Sequence, residues 1–120
     1  MTVEIINPAT GQVTYRYELM GADAIEQRIA AAAAAFTGWS QRSLQERGDI
    51  LRTVAAQLRE RREDLQAAMT GEMGKLRKEA LAEVDKCAHV CEYYADHAAD
   101  YLKPQLIDTE AQRSYVRYDP

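Results

Sequence analysis

Between Leu76 and Tyr101 the apolar side chains recur at alternating steps of four and three: Leu76, Ala80, Val84, Cys87, Cys91, Tyr94, Ala98 and Tyr101. At about 100° per residue, that spacing puts all of them on one stripe of an α-helix. A neighbouring face carries Ala82, Lys86, His89, Tyr93 and His97, and is too ionisable to be plain core. Residues 71–102 are therefore predicted as a glycine-bracketed turn, Gly71-Glu72-Met73-Gly74-Lys75, followed by the longest core-facing helix of the chain.

Upstream, the period changes. Val3, Glu4, Ile5 and Ile6 make a short strand, and Asn7-Pro8-Ala9-Thr10-Gly11 a turn, because Pro8 fixes its own φ and Gly11 takes positive φ cheaply. Val13, Tyr15, Tyr17 and Leu19 then alternate with polar residues, as a half-buried strand does. Residues 1–20 thus read as a β-hairpin, which is marginal alone and must pack on something else. A first helix starts at Gly21-Ala22-Asp23, with Ile25, Ile29, Ala32 or Ala33, and Phe36 on one face. The alanines at 30–35 suit a close helix–helix or helix–sheet contact, since small side chains let backbones approach. Gly38 is predicted to stop this helix and leave Trp39 in a loop.

Ser43-Leu44-Gln45-Glu46 is a capping box. From there Ile50, Leu51, Val54, Leu58, Leu65 and Met69 keep helical spacing as far as Thr70, while the charged run at 60–64 is a solvated face or a join between two helices. Pro104 ends the long helix, residues 105–113 read as a loop, and residues 114–118 as a strand with no partner following. The expected order is hairpin at 1–20, helices within 22–102 and a strand at 114–118: a mainly α-helical chain with no internal repeat or linker.

Composition narrows the partners. A formal net charge of -4 argues against a nucleic-acid footprint, which needs clustered positive charge. No apolar run approaches the ~20 residues of a membrane span. The two cysteines, with no signal peptide ahead of them, point to a reducing cytoplasm.

Candidate chemistry is sparse. The turn at 71–75 is no phosphate loop, since that pattern needs glycine at Met69, Ser or Thr at Leu76, and a preceding strand. Cys87 and Cys91 share a helical face, but His89 lies about 200° from Cys87 and His97 is off the cysteine stripe. A zinc site would need two more ligands converging from elsewhere. Cysteines buried as small hydrophobes account for the pair, and such burial also works against a nucleophilic role.

Several segments, taken in order, carry a resemblance. They are Asn7-Pro8-Ala9-Thr10-Gly11 with its strand, the alanines from Ala31 to Phe36 with Trp39, and Leu44-Gln45-Glu46-Arg47 leading into Ile50-Leu51. Glu72-Met73-Gly74-Lys75, the stretch at 79–83, Tyr93-Tyr94-Ala95 and the closing Tyr115-Val116-Arg117-Tyr118-Asp119-Pro120 complete the set. Together they resemble the N-terminal end of the NAD(P)-dependent aldehyde dehydrogenases. Glu72-Met73-Gly74-Lys75 and the pattern from Lys86 to Tyr94 most resemble the succinate-semialdehyde branch.

The resemblance implies an incomplete part of an α/β fold, namely the N-terminal part of a cofactor-binding domain with the catalytic domain absent. It implies oxidation of an aldehyde to the acid with NAD or NADP by the intact, homo-oligomeric enzyme. The remainder of that enzyme's chain would be the partner of these residues. No catalytic, cofactor-binding or metal-binding residue carries over to the chain, which by itself is expected to be inactive, to bind no cofactor, and to associate or aggregate through unpaired edges. Lys86 is the one candidate substrate-binding residue, on a helix that lines the tunnel mouth in enzymes of this type. The family also implies a monovalent cation between Glu72 and the backbone near Ile6, unless Glu72 merely caps the helix beginning at Leu76. Two other readings stay open: a stand-alone helical interaction module, and a small metal or redox protein using Cys87 and Cys91.

Overall fold

In the computed structural model, which describes residues 1–119, the hairpin turn forms as its side chains dictate. Asn7 Oδ1 accepts the Ala9 N–H at 2.9 Å, the Asn7 carbonyl accepts the Gly11 N–H at 2.8 Å, and Gly11 sits at φ 71. Strand β1 (Thr2–Ile6) and strand β2 (Val13–Glu18) pair antiparallel, with Val3 opposite Tyr17, Ile5 opposite Tyr15, and an irregularity at Ile5/Ile6.

Helix α1 spans Ala22–Ser40, so Gly38 does not end it and Trp39 lies in its last turn. Gly38 takes ordinary negative φ there. The stop comes later, where the Arg42 N–H returns to the Trp39 carbonyl at 3.1 Å. Ser43 and Glu46 form the expected capping box and start α2, Leu44–Glu60. The hydrogen bonds from Ser43 hold the Glu46 carboxyl below its ordinary pKa. Arg61, at φ -94 and ψ 19, makes the join inside the charged run, and α3 follows as Arg62–Met73.

Here the predicted turn is corrected, because Gly71, Glu72 and Met73 are still helical. Gly74 and Lys75 leave the helix, Gly74 at φ 70 with its N–H on the Thr70 carbonyl at 3.0 Å. A Cβ on Gly74 would lie 2.8 Å from Pro8 Cγ, so the hairpin turn rests on this corner.

Helix α4, Arg77–Tyr101, is the backbone of the packing and lies against both α2 and α3. Its buried line is Ala80, Val84 and Ala88, continued by half-buried Cys91, Ala95 and Ala98. Cys87, Tyr94 and Tyr101 of the predicted stripe are exposed, and Leu76 is 68% exposed. The reason is distance: a Cβ on Gly48 of α2 would sit 3.0 Å from the Ala95 carbonyl oxygen. Backbones that close leave room for alanine and valine, and larger side chains rotate out. Around the crossing, Arg52 pairs with Asp96 at 2.6 Å, Arg59 with Glu92 in two bonds of 2.5 and 2.7 Å, and Arg62 with Asp85 in two of 2.8 Å.

The C-terminal strand does have a partner, which corrects the expected loop. β3 (Gln105–Ile107) pairs antiparallel with β4 (Ser114–Val116), Leu106 opposite Tyr115. The closing Pro120 lies outside the described residues.

Little of this is covered. The radius of gyration is 20.7 Å, where a compact domain of this length has about 14 Å. The accessible surface is 9651 Å², against about 6,500 Å² for a compact chain of the same mass. Ile29, Phe36, Trp39, Tyr15, Tyr17 and Leu106 all face solvent.

Two outcomes follow from these contacts. Gly74→Ala forces left-handed backbone on a β-carbon that also meets Pro8, and is expected to cost about 1–2 kcal/mol. A lowered melting midpoint by circular dichroism is the check, and an unchanged midpoint means that the corner is not held this way. Hydrogen bonds from Arg62 and Arg59 lower the pKa of Asp85 and Glu92 respectively. A depressed carboxylate stabilises the fold above its unfolded pKa, and that stabilisation disappears as pH falls through the folded value. The melting midpoint should therefore be flat above about pH 5, drop below about pH 4, and drop less in Arg59→Gln/Arg62→Gln.

Candidate functional site

The outward face of α4 carries Lys86, Val90, Tyr93 and His97 at steps of four, three and four, all exposed. Lys86 is the charged end of this face. Of the carboxylates on its own helix, Asp85 is held by Arg62 and Glu83 by Lys75. Among the described residues Lys86 makes no ion pair, so its ammonium is free to meet a ligand.

Tyr93, His97 and Tyr101 form a ladder. The His97 ring stacks on Tyr93 with centroids 4.3 Å apart and planes at 17°, and His97 Nδ1 lies 2.8 Å from the Tyr93 carbonyl. That contact requires a proton on Nδ1, donated to the carbonyl oxygen. The Tyr93 and Tyr101 hydroxyls bond to each other, and this bond raises the pKa of Tyr101. Tyr94 packs edge-on against Tyr93 at 5.5 Å. The sequence reading placed Tyr101 on the core stripe and missed its union with Tyr93 and His97. The signal was present in their spacing of four.

The cysteines do not behave as buried hydrophobes, since Cys87 is exposed, Cys91 is only half-buried, and both are free thiols. Cys87 opens onto a groove of about 280 Å³ between α2, α3 and α4, with Leu65, Met69, Glu72 and Val84. Among the described residues, no three His, Cys, Asp or Glu side chains converge as a metal set. Glu72 closes α3 and does not cap α4, whose N-cap residue is Leu76 with no side-chain bond. A negative charge at a helix C-terminus gains nothing from the dipole.

The glycine fingerprint of a doubly-wound dinucleotide site lies between a parallel strand and a helix, with the pyrophosphate on the helix N-terminus. Both sheets described here are two-stranded and antiparallel, and Gly74 joins two helices. Among the described residues that strand–glycine–helix arrangement does not occur.

Against known proteins, a profile described as "Aldehyde dehydrogenase family" matches residues 1–120. The chain belongs to the aldehyde dehydrogenase family. Within it, the chain is 38% identical over 120 residues to a probable succinate-semialdehyde dehydrogenase (NADP(+)) of Synechocystis, covering 100% of this chain and 26% of the relative. It is 38% identical over 115 residues to the succinate semialdehyde dehydrogenase (NAD(P)+) of Escherichia coli K12, covering 96% and 25%. Among solved structures, succinic semialdehyde dehydrogenase from Streptococcus pyogenes in complex with NADP+ superposes with a TM-score of 0.87 at 33% identity, covering 93% and 25%. Betaine aldehyde dehydrogenase from Staphylococcus aureus gives 0.86 at 31%, covering 100% and 25%. The chain thus spans about a quarter of the length of the aldehyde dehydrogenases it matches, and its four helices and two small sheets are a portion of their fold. No helix among the described residues is long and apolar enough to cross a membrane.

Proposed function

We propose that the chain is the N-terminal part of the cofactor-binding domain of an aldehyde dehydrogenase that oxidises succinate semialdehyde to the acid with NAD or NADP. The observation that carries this is the whole-chain identity of 38% to a relative named for that aldehyde. The exposed apolar faces of α1 and of both sheets support it, because such surfaces in a soluble chain mark contacts with further polypeptide. The remainder of a dehydrogenase chain is their natural cover, and the intact enzyme is a cytoplasmic homo-oligomer. The cofactor and the reacting groups are held by parts of that enzyme outside these residues, so the 120-residue chain alone is inactive.

Within this reading, Lys86 is the substrate-binding residue. Succinate semialdehyde carries a carboxylate remote from its aldehyde, and an unpaired ammonium on the α4 face attracts it. Val90 and Tyr93, further along the same face, offer apolar surface to the carbon chain between the two ends.

The test uses the purified chain and the longer enzyme containing it, each with NAD(P)+ and succinate semialdehyde. The longer enzyme should form reduced cofactor and the chain alone none; turnover by the chain alone would sink the proposal. In the longer enzyme, Lys86→Met should raise KM for succinate semialdehyde about five- to thirtyfold, as expected for a loss of roughly 1–2 kcal/mol, with kcat little changed. An uncharged aldehyde of similar length should keep its KM. Equal effects on both aldehydes, or none on either, make Lys86 an ordinary surface lysine.

A further inference from the structure

A buried donor at the start of α2 has nothing to bind. Arg47 is half-buried in the first turn, and its Nε atom is buried without a hydrogen-bond partner among the described residues. Arginines further along the bundle are matched, since Arg52, Arg59 and Arg62 each hold a carboxylate. A stranded N–H is costly, because it gives up water without gaining an acceptor.

Acceptors are close but committed elsewhere. Arg47 lines a pocket of about 170 Å³ with Leu44, Leu102, Tyr118 and Asp119. The Asp119 carboxylate is taken by Arg117, in contacts of 2.7 and 2.8 Å. Glu46 turns its carboxylate back to accept the Ser43 N–H at 2.8 Å. The pocket therefore presents a donor and a positive charge, to which α2 adds the positive end of its dipole. Its remaining walls are apolar and open: Leu102 is 41% and Tyr118 48% exposed.

We infer that Arg47 anchors the polypeptide that follows residue 120 in the longer enzyme. The first residues of that segment lie in the pocket and give an oxygen to the Nε–H. The inference rests on the proposed dehydrogenase reading, in which the chain is about a quarter of the whole.

Position favours this occupant. Tyr118 and Asp119 form one wall, so polypeptide leaving them starts at the mouth of the pocket. Chemistry favours it as well. A free anion would lose water against Leu44 and Leu102 and would meet the Asp119 carboxylate at the rim. A peptide segment brings a carbonyl or carboxylate oxygen together with side chains that cover the leucines and the tyrosine. Arg47 then joins the start of α2 and the end of α4 to the path leading out of β4.

The unpaired donor sets the sign of a substitution. Arg47→Met removes the N–H and the charge while keeping an extended side chain. In the 120-residue chain this deletes a stranded donor, so the melting midpoint should hold or rise. In the longer enzyme it deletes a bonded donor and strands its acceptor, so the midpoint should fall. Arg47→Lys, which keeps the charge but places no N–H at the Nε position, should lower it too. Hydrogen exchange of the longer enzyme locates the effect. Amides just beyond residue 120 should exchange at least about tenfold faster in Arg47→Met, with those of α3 unchanged. Where Arg47→Met yields no folded enzyme, Arg47→Lys carries this measurement.

Midpoints lowered alike in both chains would place the partner of Arg47 inside the 120 residues and overturn the inference. Unchanged exchange beyond residue 120 would also overturn it and leave water on the Nε–H. So would a 120-residue chain stabilised by inorganic phosphate only while Arg47 is present, which would assign the pocket to a free anion. None of these readouts depends on which aldehyde is oxidised. Failure of the dehydrogenase reading would appear separately, as absence of cofactor reduction by the longer enzyme.

Discussion

The approach of Gly48 to the Ala95 carbonyl is the constraint on which this structure turns. A single β-carbon at that point would sit at 3.0 Å, so α2 and α4 cross with almost no side chain between them. The buried apolar side chains are correspondingly small, Ala55, Ala80, Val84 and Ala88, and Gln66 of α3 is the one buried polar side chain among the described residues. The larger side chains of α4 are turned outward by the same crossing, and the arginine–carboxylate pairs at its rim join surfaces already close enough to meet. These pairs are exposed, and solvent screens them. Their contribution is orientation of the helices more than stability.

A core that small cannot organise the rest. The hairpin touches it at the Pro8–Gly74 corner, α1 buries none of its residues, and the β3–β4 pair adds apolar side chains that face water. The excess of surface over a compact chain of equal mass measures how much apolar area awaits cover. Membership of the aldehyde dehydrogenase family and coverage of about a quarter of the relatives' length fit that picture. Elements shaped to be covered keep their local geometry and remain bare.

The outward turn of the α4 side chains has a chemical consequence. It brings Lys86, Val90, Tyr93 and His97 onto one open face, and engages Asp85 and Glu83 elsewhere, so that the lysine stays unpaired among the described residues. The Tyr93–His97–Tyr101 ladder fixes the far end of this face through stacking and a carbonyl hydrogen bond. A face with one cationic end and a rigid aromatic end is polarised along the helix axis, a property that neither residue type has alone.

What the amino-acid sequence determined by itself is what depends on partners a few residues away. The Asn7 to Gly11 turn, the Ser43–Glu46 capping box and the long α4 were legible, because their hydrogen bonds close within one or two turns, whereas the charged run at 60–64 admitted either a solvated face or the join that Arg61 makes. Gly38 and Gly71 misled for the opposite reason: glycine permits a helix end without requiring one, and at both positions the neighbouring turns carry the helix through. The buried side of α4 was decided only by the tertiary crossing. Cys87 and Ala88 are one residue and about 100° apart, and the periodicity admits either, but the distance to Gly48 and its neighbours admits only the smaller. The pairing of β3 with β4 was likewise invisible, because three residues are too few to show alternation before a partner strand arrives. Lys86 could be placed on its face from spacing alone. That its neighbouring carboxylates are occupied by Arg62 and Lys75 follows only from folding three helices together.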